Sequence, residues 1–230
     1  MITALGAAEF KLLLRNRTAA SLAFGMPLLL GGYFALAFGD EGWSTAVALQ
    51  LLSTLGFTVY VTTTTSLASR RQDHYLKRLR TGAASDAVVL TGVLLPPLLL
   101  ALAQAALLLG VSLAAGAPLP ARPDLLALAV VGGAAACCAA GVATSGVTST
   151  AELAQITTGP FFLALLGGGI WSLGSTDART LLAPGGGVAE LVEVAWGGPG
   201  DPGLAALSLL GWTAVGGALA VRLFRWGART

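Results

Sequence analysis

Charge is scarce in this sequence. Only 10% of its 230 residues are charged, whereas 55% are hydrophobic and the mean hydropathy is +0.80. An ordinary soluble domain carries about 25% charged residues, and a soluble fold of this size would lack the polar surface needed to cover itself. The composition therefore excludes an ordinary soluble domain and predicts an integral membrane protein.

Groups that perform catalysis or bind metals are equally scarce. The chain has one histidine and two cysteines, and Cys137 and Cys138 are adjacent, which matches no metal-ligand spacing. It has no GxxxxGK(S/T) phosphate loop, no HExxH and no GxSxG. We therefore expect no metal, no cofactor and no catalytic residue in this chain, so that any pumping would draw its energy from another protein.

The apolar residues form six runs that are each long enough to cross a hydrocarbon core, which needs about 20 helical residues. The runs lie at 19–38, 45–68, 87–115, 125–148, 156–173 and 204–221. None of them shows the regular alternation of a barrel strand. The predicted fold class is all-α: a single integral membrane domain over 1–230, with six transmembrane helices.

Basic residues lie on one side of these runs. Lys11, Arg15 and Arg17 precede the first run, five more follow the second and three follow the sixth, while the other side has only Arg122 and Arg179. That other side carries seven of the eleven acidic residues. Because Lys and Arg are concentrated in short cytoplasmic loops, the asymmetry predicts both termini in the cytoplasm. The Ala- and Gly-rich composition fits a GC-rich bacterial genome, and we expect the protein in the inner or plasma membrane of a bacterium.

The densest basic cluster is RRQDHYLKRLRTG, residues 70–82, between the second and third runs. Tyr75, Leu76 and Leu79 have the spacing of one helical face, and the basic residues point elsewhere. The segment predicts a short amphipathic helix on the cytoplasmic surface. Two roles are open for it: a basic anchor that rests on anionic lipid, or a docking helix for a soluble partner.

Two further segments have amphipathic patterns. Residues 1–18 place apolar side chains opposite basic ones and predict a helix lying along the membrane surface. Between the last two runs, 174–203 contains VAELVEVAW, in which apolar residues recur at i, i+3, i+4 and i+7. We expect a short outer helix, flat or re-entrant, with Glu190 and Glu193 on a solvated face and Trp196 at headgroup level.

The interiors of the six runs contain no Lys, Arg, Asp or Glu, although such residues usually mark the pathway of an ion-coupled carrier. The second run instead has Thr54, Thr58, Thr62 and Thr65 within about 80° of one face. Their hydroxyls either bond carbonyls of their own helix or line a helix contact or cavity. Glu152 is expected at the cytoplasmic mouth of the fifth run, where water reaches it.

Two segments are similar to a known family. YLKRLRTGAAS, 75–85, is similar to that family's loop of the form tLkrLrttPls, and STAELAQITTGPFFLALLGGGIW, 149–171, is similar to its s.ea.q.i.n....P..flsG.w stretch. The order of elements also fits: amphipathic start, six spans, basic loop helix and long outer loop. The chain resembles the type-2 ABC exporter permeases, the group that includes the daunorubicin-exporter-like drug-resistance permeases.

The resemblance implies an ATP-driven exporter. Two such permeases, identical or related, pair in the membrane, and each docks a separate ATPase that binds ATP and Mg. Residues 70–82 would be the coupling helix, with the N-terminal helix beside it. The docking residues that the resemblance implies are Arg71, Asp73, Tyr75, Leu76, Lys77, Arg78, Leu79 and Arg80.

The resemblance also implies a substrate cavity at the interface of the pair, formed by spans one, two and five. Its residues would be Phe24, Tyr33, Thr54, Phe57, Thr58, Tyr60, Phe161 and Phe162. The outer helix would gate the exit through Leu191, Val192 and Trp196. Aromatic and hydroxyl groups without buried charge suit a hydrophobic or amphipathic substrate, such as an antibiotic, a lipid or a peptide.

Two other functions remain open at this point. Six spans would permit a secondary transporter built from two inverted three-helix repeats, although 19–115 and 125–221 show no similarity to each other. The second is a membrane scaffold that does not transport, or a lipid-modifying enzyme, although the scarcity of histidine and of acidic residues within the runs makes an active site hard to build. Dependence on an ATPase separates the exporter from the secondary transporter, and pairing without transport would favour the scaffold.

Overall fold

A computed structural model describes residues 11, 15, 17–39, 42–72 and 85–224. Within these residues no strand occurs, and six helices are long and apolar enough to cross a membrane. In chain order, spans one to six are Ser21–Phe38, Trp43–Gln72, Ala87–Ala114, Pro123–Val147, Ala151–Ser172 and Pro202–Leu223. The all-α membrane fold predicted from the six apolar runs is therefore confirmed.

Local signals explain where several helices begin. Side-chain N-caps start three of them, at Ser85, Thr150 and Asp201, where a side-chain oxygen accepts a main-chain N–H of the first turn. Prolines occupy the first turn of spans four and six, at Pro123 and Pro202. Proline is tolerated there because the N–H it lacks has no partner within the helix.

Hydrogen bonds between spans show that consecutive helices run in opposite directions. Thr58 and Gln50 of span two bond Ala23 and Gly31 of span one, so residue numbers rise in one helix as they fall in the other. Because the spans alternate, span one begins on the same face of the bundle on which spans two, four and six end. We call this the basic face, and the opposite one the acidic face.

Span two is the centre of the fold. Of its most apolar stretch 83% is buried, compared with 22% in spans one and six. Small side chains such as Ala46, Ala48 and Gly56 let the neighbouring helices approach closely. Spans one, three, four and five and the segment between spans five and six all contact span two, so its polar and aromatic groups are positioned from every side.

The segment between spans five and six forms the outer helix, Gly186–Ala195, after a 3-10 turn at Ala178–Leu182. Gly185 adopts φ +92°, and a Cβ there would collide with the main-chain carbonyl of Leu165 in span five. Glycine is therefore required where the chain turns against that span. Eight of the ten residues of the outer helix are buried, so the helix is inserted into the bundle rather than lying flat on it.

The expectation that Glu190 lies on a solvated face is wrong. Glu190 is only 8% exposed, and its Oε1 accepts a hydrogen bond from the amide of Asp201 at 2.7 Å. Because Asp201 caps span six, this bond fastens the outer helix to the start of that span. Glu193 is half-buried, and its Oε2 accepts from the amide of Gly174 at 3.3 Å. Burial raises the pKa of Glu193, and the bond from Gly174 opposes that shift.

Candidate functional site

A groove of about 630 Å³ lies between spans one, two and five, in the half of the bundle nearer the basic face. Its walls combine aromatic and aliphatic side chains with neutral polar ones and one carboxylate. The lining residues are Ser21, Leu22, Phe57, Val61, Thr62, Thr65, Ser66, Ala151, Glu152, Gln155, Thr158, Gly159 and Phe162. A cavity of this size and composition is typical of sites for small organic molecules.

Two phenylalanines form the apolar wall of the groove. The ring centroids of Phe57 in span two and Phe162 in span five are 4.5 Å apart, and the ring planes are tilted by 59°. Gly56 makes room for this pair, because a Cβ at that position would lie 2.6 Å from Cε2 of Phe162. The contact joins the groove walls contributed by two different spans.

The groove lies beside an interruption in span five. The helix is α-helical over Ala151–Thr157 and again over Gly159–Ser172, with a turn at Thr158. Pro160 lies in the first turn of the second piece and has no N–H to offer the preceding turn. Both the amide and the hydroxyl of Thr158 donate to the carbonyl of Ala154, at 3.0 and 2.6 Å. The α-helix of span five is therefore interrupted where it lines the groove.

Only part of the predicted substrate cavity coincides with the groove. Phe57 and Phe162 line it. Thr54, Thr58 and Tyr60 are fully buried inside the protomer. These three residues do not line the groove, although they are close to Phe57 in the sequence.

The remaining predicted cavity residues lie in different parts of the protein and do not line the groove. Tyr60 packs its ring 4.7 Å from that of Phe161, and its hydroxyl lies 3.1 Å from that of Thr144 in span four. Phe24 is half-buried, whereas Tyr33 is 59% exposed on the outer surface of span one. Tyr60 and Phe161 therefore belong to the core that spans two, four and five share.

The threonine stripe of span two serves both of the roles left open for it. Thr54 donates to the carbonyl of Gln50 and Thr62 donates to that of Phe57, both within their own helix. Thr58 instead faces span one, with its Oγ1 2.9 Å from the carbonyl oxygen of Ala23. One face of span two thus contains self-bonded hydroxyls and one inter-helix contact.

Two buried glutamines that sequence reasoning missed hold spans one, two and three together. Gln104 of span three donates to the carbonyl of Ala23 at 2.8 Å, and its Oε1 lies 2.5 Å from Thr58 Oγ1. Ala23 needs a donor from outside its helix because Pro27, four residues on, has no N–H. The neighbouring spans therefore satisfy a carbonyl that the proline leaves free.

The second glutamine makes the same kind of junction closer to the acidic face. Gln50 of span two donates to the carbonyl of Gly31 at 2.9 Å and accepts from the hydroxyl of Ser112 in span three at 3.1 Å. The sequence contained a signal for these junctions, because Gln50 and Gln104 lie inside long apolar runs. Uncharged polar side chains in membrane helices commonly form hydrogen bonds with neighbouring helices.

Both helices that meet at Thr58 are locally π-helical. The π segments are Ser21–Gly25 in span one and Leu55–Val61 in span two, and they pack against each other. Such segments widen the helix and are frequent at functional sites. Each of them contributes residues to the groove.

The residues predicted to gate the exit lie in or beside the outer helix, in the half of the bundle nearer the acidic face. Leu191 and Val192 are completely buried within it. The indole Nε1 of Trp196 donates to the carbonyl of Pro118 at 3.0 Å, in the loop between spans three and four. These contacts hold the outer helix across the bundle, in the half opposite the groove.

Of the predicted docking residues, Arg71 alone lies in the described part of the chain. It is 1% exposed, and its guanidinium donates to the carbonyls of Ser145, at 2.6 Å, and Thr148. Those carbonyls end span four, where a cation is favourable. The others lie outside the described residues: Asp73, Tyr75, Leu76, Lys77, Arg78, Leu79 and Arg80. Most of the predicted N-terminal helix, 1–18, does so too.

A comparison with protein families gives one match that bears on this geometry. The family described as ABC-2 type transporter matches residues 1–180 of the chain. The match includes spans one, two and five and therefore every residue that lines the groove. A comparison with curated proteins found no match.

Proposed function

Since the chain belongs to the ABC-2 type transporter family, we propose that it exports a hydrophobic or amphipathic substrate through the groove between spans one, two and five. As a permease component it has no ATPase activity of its own and works with a separate ABC ATPase. The substrate would be an antibiotic, a lipid or a hydrophobic peptide.

The composition of the groove is the observation that carries this proposal. Phe57 and Phe162 offer aromatic surface, and Thr65, Ser66 and Gln155 offer hydrogen-bonding groups beside it. The groove lies at the edge of the protomer, between two spans of which only 22% and 28% are buried. A second permease copy placed against spans one and five would turn two open grooves into one enclosed cavity.

Energy would enter through residues 70–82 as the coupling helix. Two ATPase subunits would bind ATP and Mg and would each dock on one copy of this segment. The start of the segment is joined to the loop before span five, because Arg71 bonds Thr148 and Gln72 Oε1 accepts from the amide of Ala151 at 3.5 Å. Movement of the segment would therefore be transmitted to one wall of the groove.

The proposed orientation places the basic face in the cytoplasm. Arg17, Arg70 and Arg222 lie on that face, whereas Asp177 and Asp201 lie on the other. Both termini would be cytoplasmic, in the inner or plasma membrane of a bacterium. The groove would then open toward the cytoplasm, as the loading side of an exporter requires, and the outer helix would gate the exit.

Co-purification tests the proposal. We would extract the chain from its native membrane in mild detergent and identify the proteins that accompany the wild type and the Leu79→Asp variant. Leu119→Asp is the matched control, because Leu119 is 77% exposed in the loop between spans three and four on the acidic face. We expect an ATPase with the wild type and the control and none with Leu79→Asp. The absence of an ATPase from all three preparations would contradict the proposal.

A further inference from the structure

The groove contains a single ionisable side chain among its described lining residues. That side chain is Glu152, at the start of span five, and the other twelve are apolar or carry neutral hydroxyl or amide groups. Glu152 is solvent-exposed where the groove opens toward the basic face. The groove therefore offers a substrate one negative charge and, from its described lining, no positive charge.

Basic residues lie near this opening but do not line the groove. Arg17 precedes the lining residue Ser21 by four positions, and Arg70 follows the lining residue Ser66 by four. Each lies one helical turn closer to the basic face than the lining. Among the described residues, Glu152 lines the groove and neither guanidinium does.

From this charge distribution we propose that the groove is selective for amphipathic organic cations and that Glu152 is the residue that provides the selectivity. The inference rests on the proposed function and narrows its substrate class. The cationic group would lie at the mouth beside Glu152, and the apolar body would lie against Phe57 and Phe162. In a pair of permeases, each copy would contribute one carboxylate.

The physical basis is electrostatic and does not require a buried ion pair. Glu152 is exposed to solvent, so its attraction for a cation acts at the surface of the groove and weakens as salt is added. The aromatic faces of Phe57 and Phe162 also favour cations over anions, because aromatic faces attract cations. An organic anion of the same shape would find no positive charge among the described lining residues of the groove.

Glu152 also stabilises the start of its own helix, and the test must distinguish this role from charge selectivity. It lies in the first turn of a helix that Thr150 caps, where a negative side chain is favourable. Loss of this helix contribution would weaken the groove for every ligand to the same extent. Only a role in selectivity would change the affinities for a cation and an anion differently.

Tetraphenylphosphonium and tetraphenylborate provide a matched pair of probes, since they have nearly the same shape and opposite charge. We would measure the binding of each to the full chain in nanodiscs, together with any ATPase that co-purifies. The two ions partition differently into lipid, so the informative quantity is each probe's affinity in a variant relative to the wild type. The variants are Glu152→Gln, Gln155→Glu and Phe57→Ala, with Asp177→Asn as the control for removal of an exposed charge on the acidic face.

We expect Glu152→Gln to weaken tetraphenylphosphonium binding by about threefold at low salt and to leave tetraphenylborate binding unchanged or stronger. Gln155→Glu places a second carboxylate in the lining, one helical turn along, and should strengthen binding of the cation. Asp177→Asn should change neither affinity. If Glu152→Gln weakens both probes equally, or neither, the proposed selectivity is overturned.

The Phe57→Ala variant distinguishes failure of the charge selectivity from failure of the proposed function. If Phe57→Ala weakens both probes while Glu152→Gln does not discriminate between them, the groove binds amphipaths and only the charge selectivity fails. If Phe57→Ala leaves both affinities unchanged, the groove is not the binding site, and both the selectivity and the proposed route fail.

Discussion

The guanidinium of Arg71 donates a hydrogen bond of 2.6 Å to the main-chain carbonyl of Ser145. It joins the end of span two to the end of span four, and a second bond from the same nitrogen reaches Thr148. Arg71 is the second residue of the basic segment 70–82. The segment proposed to receive the ATPase therefore starts from a residue anchored inside the permease.

Removal of this anchor should destabilise the protein. We expect Arg71→Met to lower the free energy of unfolding by about 2–3 kcal/mol, because hydrogen bonds from a charged donor are lost and buried carbonyls are left without it. Unfolding in mixed micelles with increasing SDS would measure the change. Arg222→Met is the control, since Arg222 is exposed at the end of span six. Equal stability of both variants would contradict a structural role for Arg71.

The junction of spans one, two and three should show energetic coupling. Thr58→Val and Gln104→Leu each remove a group that bonds Ala23, and each should cost up to about 1.7 kcal/mol. The double variant should cost less than the sum, because the two side chains also contact each other.

The same SDS titration would measure this double-mutant cycle. Thr213→Val is the matched control, because the hydroxyl of Thr213 donates within its own helix, to the carbonyl of Leu209 at 2.7 Å. Additive effects of Thr58→Val and Gln104→Leu would show that the two residues act independently.

The aromatic wall of the groove should be required for transport. We expect Phe57→Ala and Phe162→Ala each to lower transport by about tenfold, because each removes apolar surface available to a substrate. The measurement is ATP-driven uptake of the dye Hoechst 33342 into inside-out vesicles that contain the permease and its ATPase. Leu210→Ala, at a residue 65% exposed on span six, should leave uptake unchanged.

Gly56→Ala tests the same wall without removing a ring. The added methyl group would occupy space now taken by the edge of Phe162, so the ring would have to move. We expect the vesicle assay to show reduced uptake with normal amounts of protein in the membrane. Uptake equal to wild type would show that the position of Phe162 is not important for transport.

The half-buried carboxyl of Glu193 should make stability depend on pH. Burial raises its pKa in the folded protein above the value in the unfolded chain, so the folded state holds the proton more strongly. The resulting stability is fully present below the unfolded pKa and is lost as the pH rises through the folded pKa. Glu193→Gln should therefore be more heat-stable than wild type at neutral pH and less dependent on pH. Asp177→Asn, with an exposed carboxylate, should show neither effect.

The six spans and several of their first residues could be predicted from the sequence because each depends on a short stretch of chain. About 20 apolar residues suffice to identify a membrane helix, and a capping side chain or a proline acts within one turn. The amphipathic spacing likewise predicted the outer helix itself and the burial of its apolar residues, such as Leu191 and Val192. The burial of Glu190 could not be predicted, because it depends on the amide of Asp201, which comes from another helix.

The residues of the groove were harder to predict because neighbours on one helix point in different directions. Phe57, Thr58 and Tyr60 lie within four positions, but Phe57 faces the groove, Thr58 faces spans one and three, and Tyr60 faces span four. The π-helical segment Leu55–Val61 also departs from 100° per residue. An ordinary helical wheel therefore assigns these side chains to the wrong neighbours.

The sequence by itself determined that this protein has six helices long and apolar enough to cross a membrane. Composition, run length and charge asymmetry are sums over local stretches, and they do not depend on how the helices are arranged. Tertiary structure alone decided that Phe57 meets Phe162, that Gln104 supplies the donor absent at Pro27, and that Arg71 is buried. Each of these depends on the rotation and depth of one helix against another, which packing and inter-helix hydrogen bonds set across the whole bundle.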